Sequence, residues 1–359
     1  MGRGQTGNET YIVELATALA ARSDVEPIAY VDAGTRWPRE GGPGVRELRS
    51  RSRYLRLLLE LPVAVRRDRA RLLHVQYVAP PISPVPIVAT VHDVSFIDIP
   101  RDFSRQSVLR LRATVASTVR RAAVVLTVSD FTRGRLLEEY RLSPERVVVT
   151  PNGVAPRWRR LSAAETGERL AAAGLVTLPE RFVLAVGNIH PRKNIARLVD
   201  AVRAIRAAGH PDVGLVLAGQ RRGATDDVDA AVERSPGGWV RFLGYVPDDA
   251  VVALVNRATV VAYPSIYEGF GLPVLEAMAC GAVVVAGNRT SIPEVAGDAA
   301  LLVDPMSDDD LAAGLAAALD DASLRDRLAL AGPRRAAEFT WSRSAELAAA
   351  AYLQALRPG

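Results

Sequence analysis

The feature that most constrains this chain is its rhythm of short apolar runs, each followed by a stretch with helical periodicity. In the first half the runs are PIAYV from Pro27, LLHVQYV from Leu72, IVATVH from Ile87, AVVLTV from Ala123 and RVVVT from Arg146. In the second half they are FVLAVG ending at Gly187, VGLVLAG from Val213, WVRFLG from Trp239, ATVVAYP from Ala258, AVVVAG from Ala282 and AALLV from Ala299. Near-continuous apolar strands joined by helices call for parallel sheets covered on both faces. The expected fold is therefore α/β, with two Rossmann-like domains. A Pro- and Gly-bearing break, PNGVAPRW from Pro151 to Trp158, places the boundary there: residues 1–155 form the N-terminal domain and 156–340 the C-terminal one. Asn152 and Gly153 suit a left-handed turn acting as a hinge.

Length and composition agree with a two-domain enzyme, since 359 residues exceed what one core usually serves and a chain 49% hydrophobic and 24% charged can bury its interior. The sequence has no long uncharged apolar run and no charged-then-apolar leader pattern at its start, so the expectation is a cytoplasmic protein. Cys280, the single cysteine, sits in MACG and reads as a packed thiol. Basic residues concentrate early: residues 1–155 hold 23 Arg against 16 acids, the remainder 22 Arg plus Lys against 24. Arg46, Arg49, Arg53 and Arg56, then Arg66, Arg67, Arg69 and Arg71, flank an apolar block, LLLELPVAV. That Arg-rich stretch, 46–71, reads as a helix in peripheral contact with an anionic membrane, at its inner face, or meeting a phosphorylated acceptor, and equally as a solvated surface. The pI near 9.6 does not point to nucleic acid, because no aromatic platform, zinc spacing or recognition helix accompanies the charge.

Two segments carry chemistry. In YPSIYEGFGLPVLE, Tyr263 to Glu276, a buried strand leads through Gly269 and Gly271 into a helix start at Leu272-Pro273. The glycines admit close backbone approach, and the free N–H groups of Phe270, Gly271 and Leu272 favour an anion. Glu276, one turn into the helix, suits two ribose hydroxyls. Glu268 and Glu276 also read as ordinary glutamates near a helix start. The second segment is VGNIHPRKN. Every basic residue of the chain is Arg except Lys193, which follows Arg192 in the loop between a strand and the helix NIARLVDAVRAI. Cations are unfavourable beside a helix start, so the pair points to a diphosphate.

These segments, with MACGAVVVAGNRTSIPEVAGDAALLVDP from Met278 to Pro305, resemble the signature of retaining glycosyltransferases of family 4, which have the GT-B fold of two domains facing across a cleft. The resemblance implies transfer of a hexose from a nucleotide-diphosphate sugar to a hydroxyl of a glycan, glycolipid or small-molecule acceptor, with GDP-mannose as the donor suggested by YEGFGLP and SIPEVAGDAA. It implies that Arg192 and Lys193 grip the diphosphate, that Glu268 with the Phe270, Gly271 and Leu272 amides orients sugar and phosphate, and that Glu276 holds ribose. Gly187, Gly219 and Gly269 line the donor site, and Val246, after Gly244-Tyr245, reads the base through its main chain. His92, followed by Asp93 at a strand end, approaches the donor sugar. In GRGQTGNETY, Gly4 and Gly7 match the glycine loop on the acceptor side. In the family a hydrophobic strand precedes that loop, so Met1 reads as a misassigned start or a truncation, with the first strand missing. The last helix, 341–357, is expected to pack back on the first domain.

No metal or other cofactor is expected, because Asp227–Asp229 and Asp308–Asp310, though spaced like a metal-binding pair, lie where helices start. Two alternatives remain open: a non-catalytic nucleotide-sugar-binding partner, and a sugar-nucleotide epimerase of the same fold. A phosphorylase would need a lysine for pyridoxal phosphate, and the one lysine is in the diphosphate loop.

Overall fold

The computed structural model describes residues 7–35, 37–221 and 225–357. The chain divides into two compact units: one runs up to Gly153 and resumes at Phe339, and the other is Val154–Glu338.

The first unit holds two parallel sheets. Strands β1 (Ile28–Asp32) and β2 (Gly44–Leu48) pair with each other, while β3 (Leu73–Gln76), β4 (Ile87–Val91), β5 (Val124–Thr127) and β6 (Val147–Val149) form a four-stranded sheet in that order. β4 and β5 are buried along their whole length, as their unbroken Val/Ile/Ala/Leu content demands. Only β2 lacks a counterpart among the apolar runs of the sequence. Its residues, GVREL, bury one side chain, Leu48, so no hydrophobic period announces it.

The C-terminal helix, Trp341–Ala355, belongs to this unit and packs on the Gly7–Ala20 helix and on β4 and β5. A row of alanines, Ala345, Ala348, Ala349 and Ala351, is buried and permits that close approach. The expected left-handed turn at Asn152-Gly153 is not there: neither residue has a positive φ. Gly153 is needed for space instead. A Cβ on it would stand 2.1 Å from the Trp341 nitrogen and 2.4 Å from the Thr340 carbonyl carbon, where the returning chain crosses.

The second unit is built on six parallel strands, β7 (Arg181–Val186), β8 (Val213–Ala218), β9 (Val240–Gly244), β10 (Val260–Tyr263), β11 (Val284–Gly287) and β12 (Leu301–Val303), in the order β12-β11-β10-β7-β8-β9. The chain starts in the middle, at β7, winds outward through β8 and β9, then crosses back to β10 and winds outward the other way. Between β7 and β10 the connections therefore diverge to opposite sides, which opens a crevice at the strands' carboxyl ends. Its core includes Val183, Leu198, Val202, Leu215, Val285 and Leu315, all 0% exposed. Among the described residues no helix is long and apolar enough to cross a membrane.

Candidate functional site

The carboxyl ends of β7 and β10 bring the two sequence segments together. After β7 the chain turns through Gly187 at φ 119°, forms a short helical turn over Pro191–Lys193, and enters the Ile195–Ala207 helix through Asn194 at φ 59°. His190 shapes this loop by accepting the Arg192 N–H on its ring. After β10, Pro264–Gly271 leads into the Leu272–Ala279 helix, with Gly271 at φ 98° directly before it and Pro273 in its first turn. The two loops are tied directly: the Arg192 carbonyl accepts the Ile266 N–H at 2.8 Å and the Ser265 hydroxyl at 3.1 Å.

Glu268 is the centre of the cluster. Its Oε1 accepts from Arg192 Nη1 at 2.5 Å, from Lys193 Nζ at 2.7 Å and from the Ser265 hydroxyl at 2.5 Å. Its own N–H donates to the Thr290 hydroxyl at 3.0 Å and its carbonyl accepts from Ser291 at 2.9 Å. Burial pushes this carboxyl up, but Arg192 and Lys193, with the hydrogen bonds of Lys193 and Ser265, outweigh it and bring it down to about 2. Lys193 also stands 4.3 Å from the Tyr263 ring centroid and donates to its hydroxyl. Arg192 and Lys193 share one carboxylate, so this trio holds one more cation than anion, with Glu276 the next carboxylate within reach of Tyr263.

Two of the glycines are required by the protein's own packing. A Cβ on Gly219, after β8, would lie 2.0 Å from the Gly187 carbonyl oxygen, and one on Gly271 would lie 2.4 Å from Ile292 Cδ1. Gly269 and Phe270 are buried, Leu272 and Glu276 are half-buried, and the Tyr263 phenol's pKa is raised by burial first, then by Glu268, with a small further push from Glu276. Val246 is buried where β9 gives way to the Asp248–Arg257 helix. Asp227–Asp229 and Asp308–Asp310 lie in the first turns of the Asp226–Glu233 and Asp308–Asp320 helices. Cys280 is buried, and burial pushes its thiol up to about 12.

His92 lies in the first unit, directly after β4 and 7% exposed. Burial lowers its pKa to about 3, so the imidazole is neutral at physiological pH. Tyr11 meets its ring edge-on at 4.6 Å, and its Nε2 has no hydrogen-bond partner. Around it runs a chain that the sequence did not reveal: Tyr352 bonds His74 Nδ1 at 2.7 Å, His74 Nε2 bonds Thr90 at 2.7 Å, and Thr90 bonds Tyr11 at 2.9 Å. Gly7 is the first residue of the Gly7–Ala20 helix rather than part of a loop ahead of it, because Asn8, Glu9 and Thr10 continue the helical turn; Gly4 lies outside the described residues.

Residues 170–335 match the family described as Glycosyl transferases group 1, and residues 6–158 match Glycosyltransferase Family 4. The O-antigen chain mannosyltransferase B of Escherichia coli is 36% identical over 255 residues, which cover 71% of this chain and 66% of that protein. The chain thus spans just under two thirds of that relative's length. Among solved structures, a sucrose-phosphate synthase from Thermosynechococcus elongatus superposes with a TM-score of 0.77 at 22% identity, covering 97% of this chain and 93% of the other. The Anabaena protein HepE, solved in complex with UDP and glucose, gives a TM-score of 0.77 at 20% identity and covers 98% of each chain. At those identities the likeness is one of fold.

Proposed function

This chain belongs to the group 1 and family 4 glycosyltransferases, with the GT-B fold, and on that premise we propose that it moves a hexose from a nucleotide-diphosphate sugar to a hydroxyl acceptor with retained configuration. The observation that carries the reading is the convergence of Arg192 and Lys193 on Glu268 at the carboxyl ends of β7 and β10. A net positive cluster at that crevice suits a diphosphate, and it suits the leaving nucleoside diphosphate better as charge develops on it. Glu268 fixes the two cations in place before substrate arrives, so the reorganisation cost at the moment of reaction is small. The amides at the start of the Leu272–Ala279 helix complement the phosphate, and Glu276 receives the ribose.

Mannose is the sugar we propose, from GDP-mannose, because the relative at 36% identity is named a mannosyltransferase. The acceptor is a glycan or lipid-linked hydroxyl compound. The Arg192–Lys193 pair supplies the charge that a metal ion supplies elsewhere, so we propose metal-independent transfer. His92, neutral and with an unpartnered Nε2, is assigned to a hydrogen bond with a sugar hydroxyl.

The test is a panel of nucleotide sugars scored by thermal shift together with slow donor hydrolysis. One donor, GDP-mannose, should both stabilise the protein and be hydrolysed, with activity unchanged in EDTA. Stabilisation without turnover would favour a binding partner, conversion of the sugar without release of nucleoside diphosphate an epimerase, and a uridine-based donor would overturn the assignment of GDP-mannose.

A further inference from the structure

The helical stretch Arg53–Arg67 exposes a row of aliphatic side chains as well as burying some. It comprises a first turn at Arg53–Leu55, one wide turn with i→i+5 bonding at Arg56–Glu60, and a last part at Leu61–Arg67. Its inward side carries Ala64 and Val65, buried, and Leu57 and Leu61, half-buried, together with polar groups. Glu60 accepts the backbone N–H groups of Arg49 and Ser50, the latter at 2.9 Å, and Arg56 donates to the Ser50 carbonyl at 2.7 Å and pairs with Asp32 at 3.1 Å. The outward side is aliphatic. Leu55, Leu59 and Val63, four residues apart, are 50%, 62% and 67% exposed, and Tyr54 and Leu58 beside them are 58% and 45% exposed. Elsewhere in the described residues the large exposed apolar side chains, such as Ile82, Val176 and Met306, occur singly in the sequence. A contiguous row of this kind marks a surface with a partner.

Charge identifies the partner. Arg49, Arg51 and Arg53 are exposed at one end of the row and Arg66, Arg67, Arg69 and Arg71 at the other. Residues 46–71 contain three acids, and one of them, Glu60, faces inward. Arg46 and Arg49, which their spacing had suggested for the helix, lie instead on β2 and in the turn after it, so they extend the basic rim sideways. A second helix, Arg105–Arg121, borders the same face: with Arg53, which bonds the Tyr54 hydroxyl at 2.7 Å, its Arg110 lowers the pKa of that phenol. An aliphatic row with cations along its rim is the form of a helix lying in a bilayer interface, its leucines at the acyl boundary and its arginines among the headgroups. Pairing the row with a second copy about a two-fold axis would set the basic ends against each other.

We propose that the Leu55–Leu59–Val63 face is a docking surface for an anionic membrane. The proposal does not rest on the donor reading, because vesicle binding is measured without substrate.

The experiment is sedimentation of the full chain with vesicles of phosphatidylcholine alone and with added phosphatidylglycerol, at low and high salt. Wild-type protein should pellet with the phosphatidylglycerol vesicles, less so at high salt. Leu55→Glu/Leu59→Glu should cut the partition coefficient about tenfold or more while leaving the melting temperature and lipid-free donor hydrolysis unchanged. Arg66→Gln/Arg69→Gln/Arg71→Gln should weaken binding and flatten its salt dependence. If the double glutamate variant aggregates, Leu59→Ser gives the same reading with a smaller change. The proposal is overturned if wild type fails to pellet with either vesicle, if the leucine variants pellet as wild type does, or if those variants dissolve a dimer seen by gel filtration without lipid, which would make the face an interface between copies.

Discussion

Lys193 donates to the Glu268 carboxylate at 2.7 Å, and the two side chains keep only 13% and 9% of their surface in solvent. On the proposed reading, a compact ammonium held this deep, against Tyr263, answers charge appearing on a leaving phosphate. Lys193→Ala should leave the Arg192–Glu268 contact and the fold intact but lower kcat by on the order of 10²-fold, with a smaller change in donor KM. Lys193→Arg should not restore the rate, because the larger forked guanidinium cannot set a single compact charge on the Glu268 oxygen in a site that leaves Lys193 only 13% exposed. Wild-type turnover in Lys193→Ala, measured at saturating donor, would remove the diphosphate assignment.

Glu268 links the site to stability. Its carboxyl titrates near 4.5 in an unfolded chain and at about 2 in the folded one, where the neighbouring cations outweigh burial. The stabilisation this provides is complete above pH 4.5 and fades as the pH falls towards 2. Glu268→Gln should cost about 3 kcal/mol at neutral pH, since it leaves Arg192 and Lys193 facing each other without a counter-charge. The variant should also show a flatter stability profile between pH 4.5 and 2 than wild type in denaturant titrations. Equal slopes for the two proteins would mean that the ion pairs add nothing to the folded state.

Gly219 tests whether the strand ends must lie close. The nearest atoms to an added Cβ are backbone, the Gly187 oxygen at 2.0 Å and the Asn188 nitrogen at 3.1 Å, so no side chain can swing aside. Gly219→Ala should therefore part the ends of β7 and β8, cost about 2 kcal/mol or more, and weaken nucleotide-sugar affinity by displacing the loop that carries Arg192 and Lys193. Gly134→Ala is the natural comparison. That glycine is exposed within the Asp130–Tyr140 helix with nothing within 4 Å of the new Cβ, and alanine should stabilise the protein by about 0.5–1 kcal/mol. Paired melting curves and donor titrations separate the two effects.

Strands buried on both faces were legible because their apolar runs leave no other option, and so was the place of two loops at strand ends, where a lone lysine and a glycine-flanked glutamate stand out from an arginine-rich background. β2 was not legible, since an edge strand that buries one residue has no period to read. Gly153 was legible as special but for the wrong reason: its glycine answers a crossing by Thr340 and Trp341, nearly two hundred residues away in sequence, which no local rule encodes. A still longer separation hid His74, whose partner Tyr352 is 278 residues on. The direct convergence of Arg192 and Lys193 on Glu268 was hidden as well; sequence placed all three beside a diphosphate and could not show that two of them first neutralise the third.

That His74 network gives the first unit its own response to acid. Burial is the main cause of the low pKa values of both histidines, about 4 for His74, where nearby His92 adds a little, and about 3 for His92. Both titrate near 6.5 when the chain is unfolded, so the unfolded state takes up protons first as the pH drops. The stability they share in is whole above pH 6.5 and is lost as the pH falls towards 4 and 3, by up to about 1.4 kcal/mol per pH unit for each histidine. The Glu268 window in the second unit lies lower, between 4.5 and 2. Acidification from pH 7 to pH 5 should therefore lower the protection factors of amides in β3, β4 and the Trp341–Ala355 helix, taken relative to the slower intrinsic exchange at the lower pH, while those of β7 and β10 hold. Replacing His74 with Gln should flatten the first unit's pH dependence, although it costs stability at pH 7 by breaking the bonds to Tyr352 and Thr90. Hydrogen exchange read by mass spectrometry at the two pH values checks this, and earlier loss of protection in β7 and β10 would place the acid-sensitive groups in the wrong unit.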